Sequence, residues 1–410
     1  MCSFLISETI QYYKSHGSDI YMLSLDASKA FDRVKYTNVF KLLIEISVCP
    51  LVIRFLLNVY IFSSSTVKWN NCKSETFSIS NVVKQGAIIS APLFAIYIDP
   101  LKDANEGCFI GNLCANAFAY ADDIVLLSFS CTALRNLISI CEAYAEDHEI
   151  RFNPDKCTLM IFSNLKNVDE YVNIMLCGSR IRNIANEKHL GHVFDTGFNN
   201  SLNLINIENV IRDMKVRTNT ISAQFKPVSW KSKTTIFNSQ CLSLYGCQLW
   251  RLDDPKVDQL CTTWKVCCRR LLNLSLRTRS RFIHHLMGTA PILDIIMYRM
   301  LSFFIAVLNN EDNLISNFFK NTLLANTLYM QVNIYKILER FNVTYHDLFS
   351  INKSKLKNIL NNLKGEKDWQ CNMLDELLSM RDGTVTTDLD LKYNEIKYML
   401  NQVSTDFLFD

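Results

Sequence analysis

Glycine and proline are scarce in this chain, at 11 and 7 residues in 410, and no linker rich in either divides it. No apolar run reaches the roughly 18 uncharged residues that a membrane-spanning helix needs. The best candidate, residues 292–308, contains Asp294 and Arg299 and reads as a buried helix. The 15 cysteines include no Cys-x-x-Cys pair. Cys241, Cys247, Cys261, Cys267 and Cys268 gather in sequence near His284 and His285, but zinc-site spacing is lacking. The N-terminus meets Glu8 too soon for a secretory signal. The cysteines therefore read as reduced core residues of an intracellular protein. There is no internal repeat and no nuclear-import run of Lys/Arg.

What is present is a globular composition, 49% hydrophobic and 20% charged, long enough for two or three domains. The net charge of +3 hides an uneven distribution, because residues 201–300 hold 15 Lys/Arg against 6 Asp/Glu. A basic stretch of that kind suits a phosphate backbone, and equally a solvated helical surface.

The patterning changes along the chain. Residues 3–15 read as a helix, and 20–25 as a buried strand with Asp26 at its end. Two apolar helical segments follow over 36–62, broken near Pro50, then a Ser/Thr/Val-rich hairpin over 65–80. Residues 92–101 read as a helix. Residues 117–129 read as two strands around Ala121-Asp122-Asp123, 131–149 as an amphipathic helix, and 157–162 as a strand. Beyond about 205 the strand signals fade and helical patterning dominates. The expected architecture is α+β: an antiparallel sheet backed by helices over 1–204, an all-α domain over 205–310, and a helical region of unassigned role over 311–410.

The acidic residues carry the chemistry. Mg²⁺ prefers oxygen ligands and is usually held by one or two carboxylates plus substrate phosphates. Two such ions about 3.5–4 Å apart can stabilise both oxygens of an in-line phosphoryl displacement. A minimal site is therefore a few aspartates converging from neighbouring strands, and Asp26 with Asp122-Asp123 offers that. Singly, each is a weak signal, since aspartates often cap helices or line turns. A doublet between two apolar strands is less usual, because hairpin turns favour Gly or Asn and paired like charges cost energy without a cation.

The order of segments carries a resemblance. Leu25-Asp26-Ala27-Ser28-Lys29-Ala30-Phe31-Asp32 resembles the first palm motif of non-LTR retrotransposon reverse transcriptases. Lys84-Gln85-Gly86 with Pro92-Leu93-Phe94 resembles the second, and Tyr120-Ala121-Asp122-Asp123 the third. Asn153-Pro154-Asp155-Lys156 resembles the fourth and His189-Leu190-Gly191 the fifth. Residues 244–250 and 279–291 look like the thumb of the same clade, so the resemblance covers roughly 1–305.

It implies an RNA-directed DNA polymerase that uses an RNA template, a DNA primer and dNTPs, without a membrane. It also implies two Mg²⁺ ions, or Mn²⁺ in their place, held by Asp26, Asp122 and Asp123, with a backbone carbonyl near Ala27 as a further ligand. Phe31 would be the steric gate against ribose, and Gln85 and Gly86 would lie against the nucleotide and template. Lys156 would sit at the pyrophosphate leaving group as proton donor or point charge. His189, Leu190 and Gly191 would grip the primer end. Arg269, Arg270, Arg277, Arg279 and Arg281 would hold the duplex backbone. A nuclear location follows from the need to reach chromosomal DNA.

The chain also departs from the family pattern. Met1 stands only 25 residues before Asp26, so the fingers are not expected here, and the sequence shows neither an endonuclease nor a terminal Cys/His knuckle. The second motif reads Ser90-Ala91-Pro92 instead of Ser-Pro. A catalytically impaired remnant that binds nucleic acid is the alternative. Phe31 and the thumb motif argue against an RNA-dependent RNA polymerase.

Overall fold

The computed structural model describes residues 2–28, 33–78, 88–99, 106–111, 113–163, 172–197, 204–309, 314–324, 330–349, 351 and 353–364. The chain divides into two compact units, Met1–Leu202 with Asn321–Tyr329, and Asn203–Lys320 with the chain from Met330 onward.

In the first unit, helix α1 (Cys2–Ser15) precedes strand β1 (Ile20–Asp26). Helices α2 (Tyr36–Glu45) and α3 (Pro50–Ile61) follow, with Pro50 at the first turn of α3, where its missing N–H costs nothing. The Ser/Thr-rich segment forms two short ladders, Ser64–Ser65 with Phe77–Ser78 and Lys68–Trp69 with Cys72–Lys73. Helix α4 (Ser90–Ile98) begins two residues earlier than the sequence suggested. Pro92 therefore lies in its first turn, where the amide would have no intrahelical partner anyway, and the displaced proline is absorbed without a break.

Then come β2 (Ala117–Tyr120), β3 (Asp123–Ser128), α5 (Cys131–Asp147), β4 (Thr158–Phe162) and β5 (Arg182–Asn183). Ser130 caps α5 by accepting the Ala133 N–H. The strands form one sheet in the order β5-β4-β1-β3-β2, antiparallel except between β4 and β5. The hairpin β6 (Asn186–His189) and β7 (His192–Asp195) forms a separate two-stranded ladder.

The central strands are apolar on both faces because both are covered. Leu23, Leu25, Ile124, Leu126, Leu159 and Ile161 pack with α2 to α5. Met22, Val125, Leu127, Met160 and Phe162 pack with Ile6 and Ile10 of α1 and with Phe194 of β7. Helix α3 buries Ile53, Leu56 and Tyr60, while Leu51, Phe55 and Phe62 stay exposed.

The second unit is helical among its described residues. Helices α6 (Leu204–Gln224), α7 (Trp230–Cys241), α8 (Pro255–Leu271) and α9 (Ile292–Leu308) are followed by α10 (Gln331–Phe341) and α11 (Lys353–Lys364). Asp254 caps α8 and Pro255 opens it, while Arg269 and Arg270 occupy its last turn, where cations meet the negative end of the helix dipole. Asn333 of α10 donates to the Trp250 carbonyl at 2.7 Å and accepts the Leu252 N–H at 2.8 Å, which ties the segment after 330 to the Leu244–Trp250 motif. Among the described residues no helix is long and apolar enough to cross a membrane. Cys241, Cys247, Cys267 and Cys268 are buried, whereas Cys49, Cys72 and Cys177 of the first unit are exposed.

Candidate active site

The site is built where one sheet face changes character. Side chains alternate along β1, so Met22, Ser24 and Asp26 share a face. Met22 lies in the apolar cluster under α1, and Asp26 lies past its edge, half-exposed. In the β1–β3 ladder Asp26 is paired directly with Asp123, and Ser24 with Val125. Tyr120 pairs Asp123 across β2 and β3, so Ala121 and Asp122 make the turn. Ala121 takes φ 54°, the left-handed conformation that such tight turns require.

Two carboxylates thus face each other across a ladder while a third stands at the turn beside them. Partial burial pushes the Asp123 carboxyl up from its ordinary value, and the fields of Asp122 and then Asp26 push it further. Among the described residues no three acidic, His or Cys side chains form a ready-made metal cage. The donor set nevertheless fits a hard cation that takes part of its shell from phosphate oxygens. It is all carboxylate, and its self-repulsion is what a divalent ion offsets.

The fourth motif is fastened to the first. The Asn153 N–H donates to the Asp26 carbonyl at 2.9 Å, Ser28 N–H donates to the Arg151 carbonyl, and Ala27 bridges Phe152. The Asn153 side chain accepts the Asp155 N–H at 3.1 Å, and its carbonyl accepts the N–H groups of Lys156 and Cys157. This Asx turn, chemistry that Asn favours, projects Lys156 over the site. Its Nζ stands 3.8 Å from Asp26 Oδ2, on a side chain 66% exposed and so free to move toward a substrate. Cys157, fully buried, accepts the Asp26 N–H at its Sγ, and burial raises its own thiol to about 11. Nothing in the sequence pattern flagged that contact.

The β6–β7 turn places Leu190 and Gly191 at its tip, both with positive φ. His189 instead points inward and is buried, with Nδ1 3.5 Å from the Ser3 hydroxyl and Nε2 without a partner. Burial lowers it to about 4, so it is neutral at physiological pH. Two residues earlier, Glu187 accepts the Ser24 hydroxyl at 2.8 Å. Partial burial raises Glu187, the Thr158 and Ser24 hydroxyls act against that, and Asp123 adds to it. Sequence reasoning did not single out Glu187.

The remaining residues divide. Arg269 is buried and donates to the Thr278 carbonyl and the Ser280 hydroxyl, which shapes the loop that carries Arg277, Arg279 and Arg281. Those three and Arg270 are exposed, while Trp264 is buried among the helices. Phe31, Gln85 and Gly86 lie outside the described residues.

The family model for "Reverse transcriptase (RNA-dependent DNA polymerase)" matches residues 3–199. The Pol polyprotein of the type-2 retrotransposable element R2DM of Drosophila melanogaster is 26% identical over 156 residues, 37% of this chain and 15% of that protein. The Transposon TX1 149 kDa protein of Xenopus laevis is 27% identical over 169 residues, 40% and 13% of the two chains. The RNA-directed DNA polymerase from mobile element jockey of Drosophila melanogaster is 25% identical over 238 residues, 55% and 25%. The chain therefore spans a quarter or less of each of these relatives. Among solved structures, apo telomerase from Candida Tropicalis aligns at 11% identity over 85% of this chain and 55% of that one, with a TM-score of 0.41.

Proposed function

Residues 3–199 belong to the reverse-transcriptase family, in the branch carried by non-LTR retrotransposons, and from that premise we propose that the chain extends a DNA primer on an RNA template with dNTPs. The observation that carries this reading is the direct pairing of Asp26 with Asp123, beside Asp122 and under Lys156. Asp26, Asp122 and Asp123 would hold two Mg²⁺ ions, or Mn²⁺. Those ions would offset charge on the attacking and leaving oxygens.

The residues of the chain supply the rest. The ladder holds two carboxylates at a fixed separation, and the Asn153 turn and Cys157 hold the Asp26 backbone from behind. Lys156 carries a proton and a charge toward the leaving pyrophosphate. Phe31 would exclude the ribose 2′-hydroxyl, and Gln85 with Gly86 would meet the nucleotide and template. The Leu190-Gly191 tip would contact the primer end. Arg270 in the last turn of α8, and Arg277, Arg279 and Arg281 on the loop braced by Arg269, would meet phosphates without regard to sequence. A nuclear site of action is part of the same proposal.

The test is extension of a primed RNA template with Mg²⁺, by the parent and by Asp122→Ala/Asp123→Ala. Extension by the parent alone supports the reading. No extension, with salt-sensitive binding to the hybrid retained, would instead identify a nucleic-acid-binding remnant.

A further inference from the structure

The β6–β7 hairpin is not a strand pair of the five-stranded sheet. The chain leaves that sheet just after β5, where the Ile184 N–H donates to the Leu159 carbonyl. Beyond that point three side-chain contacts tie the hairpin to the rest of the unit. Phe194 inserts into the apolar cluster with Met22, Val125 and Met160. His189 reaches Ser3 at the N-terminal end of α1. Glu187, the ladder partner of Phe194, accepts the Ser24 hydroxyl at 2.8 Å. Phe194 and Glu187 thus divide the work: an apolar plug under the covered half of the face, and a carboxylate at the polar half.

The position of Ser24 gives that hydrogen bond its meaning. It stands two residues before Asp26 on the same face of β1 and pairs Val125 on one side and Thr158 on the other. Glu187 stands two residues before His189, so the bond joins the strand that ends in Asp26 to the strand that ends in the Leu190-Gly191 turn. We propose that Glu187 is a positioning residue, a latch that fixes the hairpin tip relative to the Asp26–Asp123 pair. It does so through Ser24, without touching the reacting atoms. The consequence for chemistry rests on the polymerase reading above: the latch would hold the primer 3′-hydroxyl in line for attack, where a small misplacement costs rate more than affinity.

Two readouts separate the latch from that reading. Amide hydrogen exchange on the full chain, compared among the parent, Glu187→Ala, Ser24→Ala and Glu187→Gln, reads the latch directly. The two alanine variants should exchange about tenfold faster across residues 186–195, as expected for loss of one charge-assisted hydrogen bond, with residues 20–26 and 158–162 unchanged. Glu187→Gln, whose amide oxygen can still accept the Ser24 hydroxyl but without the charge, should fall between the parent and Glu187→Ala. Primer extension then reads the consequence: kcat should fall about tenfold in both alanine variants, with KM for dNTP unchanged and partial recovery in Glu187→Gln. Unchanged hairpin exchange overturns the latch. So does uniform loosening of the whole sheet, or a kcat that does not move in a variant whose hairpin has loosened. A parent that extends no primer sinks the polymerase reading, and exchange alone then supports or overturns the latch.

Discussion

Asp26 and Asp123 are ladder partners, the last residue of β1 facing the first residue of β3. Sheet geometry holds such a pair about 4.5–5.5 Å apart at Cβ, and like charges directly opposite destabilise a sheet. The fold therefore carries a local defect that a divalent cation would offset.

That defect sets a first prediction. The Asp123 carboxyl is raised above its ordinary value by burial, Asp122 and Asp26, so its ionised form is penalised in the folded state. Below the unfolded pKa both states are protonated and no cost arises. The cost appears as pH rises through the folded pKa and persists at neutral pH. Asp123 is itself exposed and solvent screens much of the repulsion, so Asp123→Asn should raise the unfolding temperature at pH 7 in chelator only slightly, and leave it unchanged near pH 3. Adding Mg²⁺ should stabilise the parent and not the variant. A variant less stable than the parent in chelator would contradict the arrangement.

Lys156 separates chemistry from stability. Its ion pair with Asp26 spans 3.8 Å between side chains 66% and 39% exposed, so removing it should cost under about 1 kcal/mol. As a proton donor to the leaving group it should matter far more. Lys156→Ala should lose about 100-fold in kcat with near-parent denaturant midpoints. Lys156→Arg keeps the charge and cannot give up a proton, so rates near the parent level would leave only the point-charge role.

His189 predicts a pH dependence of the fold. It is lowered to about 4 by burial, whereas the unfolded side chain titrates near 6.5. The unfolded state therefore binds a proton first, and stability should fall as pH drops from about 6.5 toward 4, by on the order of 2–3 kcal/mol from this residue. His189→Gln removes that titration. Comparing denaturant midpoints of the two proteins at pH 7 and pH 4.5 isolates the difference, and parallel curves would show that His189 is not buried neutral.

Much of this was legible before the structure, and the reasons are local. The run Ile20–Leu25 is apolar at every position but Ser24, and only a strand covered on both faces wants that. The Asp doublet between apolar runs marked the hairpin because few other turns tolerate it. The start of α4 at Ser90 was missed because proline looks like an opening residue wherever the first turn allows it. Glu187 was illegible: its partner lies 163 residues away, and a Glu before Lys188 on a short strand looks like solvated surface. Arg269 looked like a phosphate contact by its neighbours, and only the fold reveals that its guanidinium is spent on Thr278 and Ser280. Short-range periodicity reports which face is buried, not which distant group meets it.

The second unit offers a stability test of a different kind. Asp294 in the first turn of α9 is buried, and Arg340 of α10 meets both its oxygens, Nε to Oδ1 and Nη2 to Oδ2, each at 2.7 Å. This fork fixes the angle at which α10 docks, and Arg suits it because its planar guanidinium matches a carboxylate bidentately. Removing Arg340 leaves a carboxylate 5% exposed with its main partner gone, a change that typically costs about 3–5 kcal/mol. Removing both charges should cost much less, because the desolvation penalty goes with them. Arg340→Ala should therefore lower the denaturant midpoint of the second unit sharply, and Arg340→Met/Asp294→Leu should recover most of the loss. Lys in place of Arg340 should fall between, holding the charge but losing one of two bonds. Equal destabilisation by the single and double changes would mean that the pair acts through packing of the arginine stem and not through the buried charge.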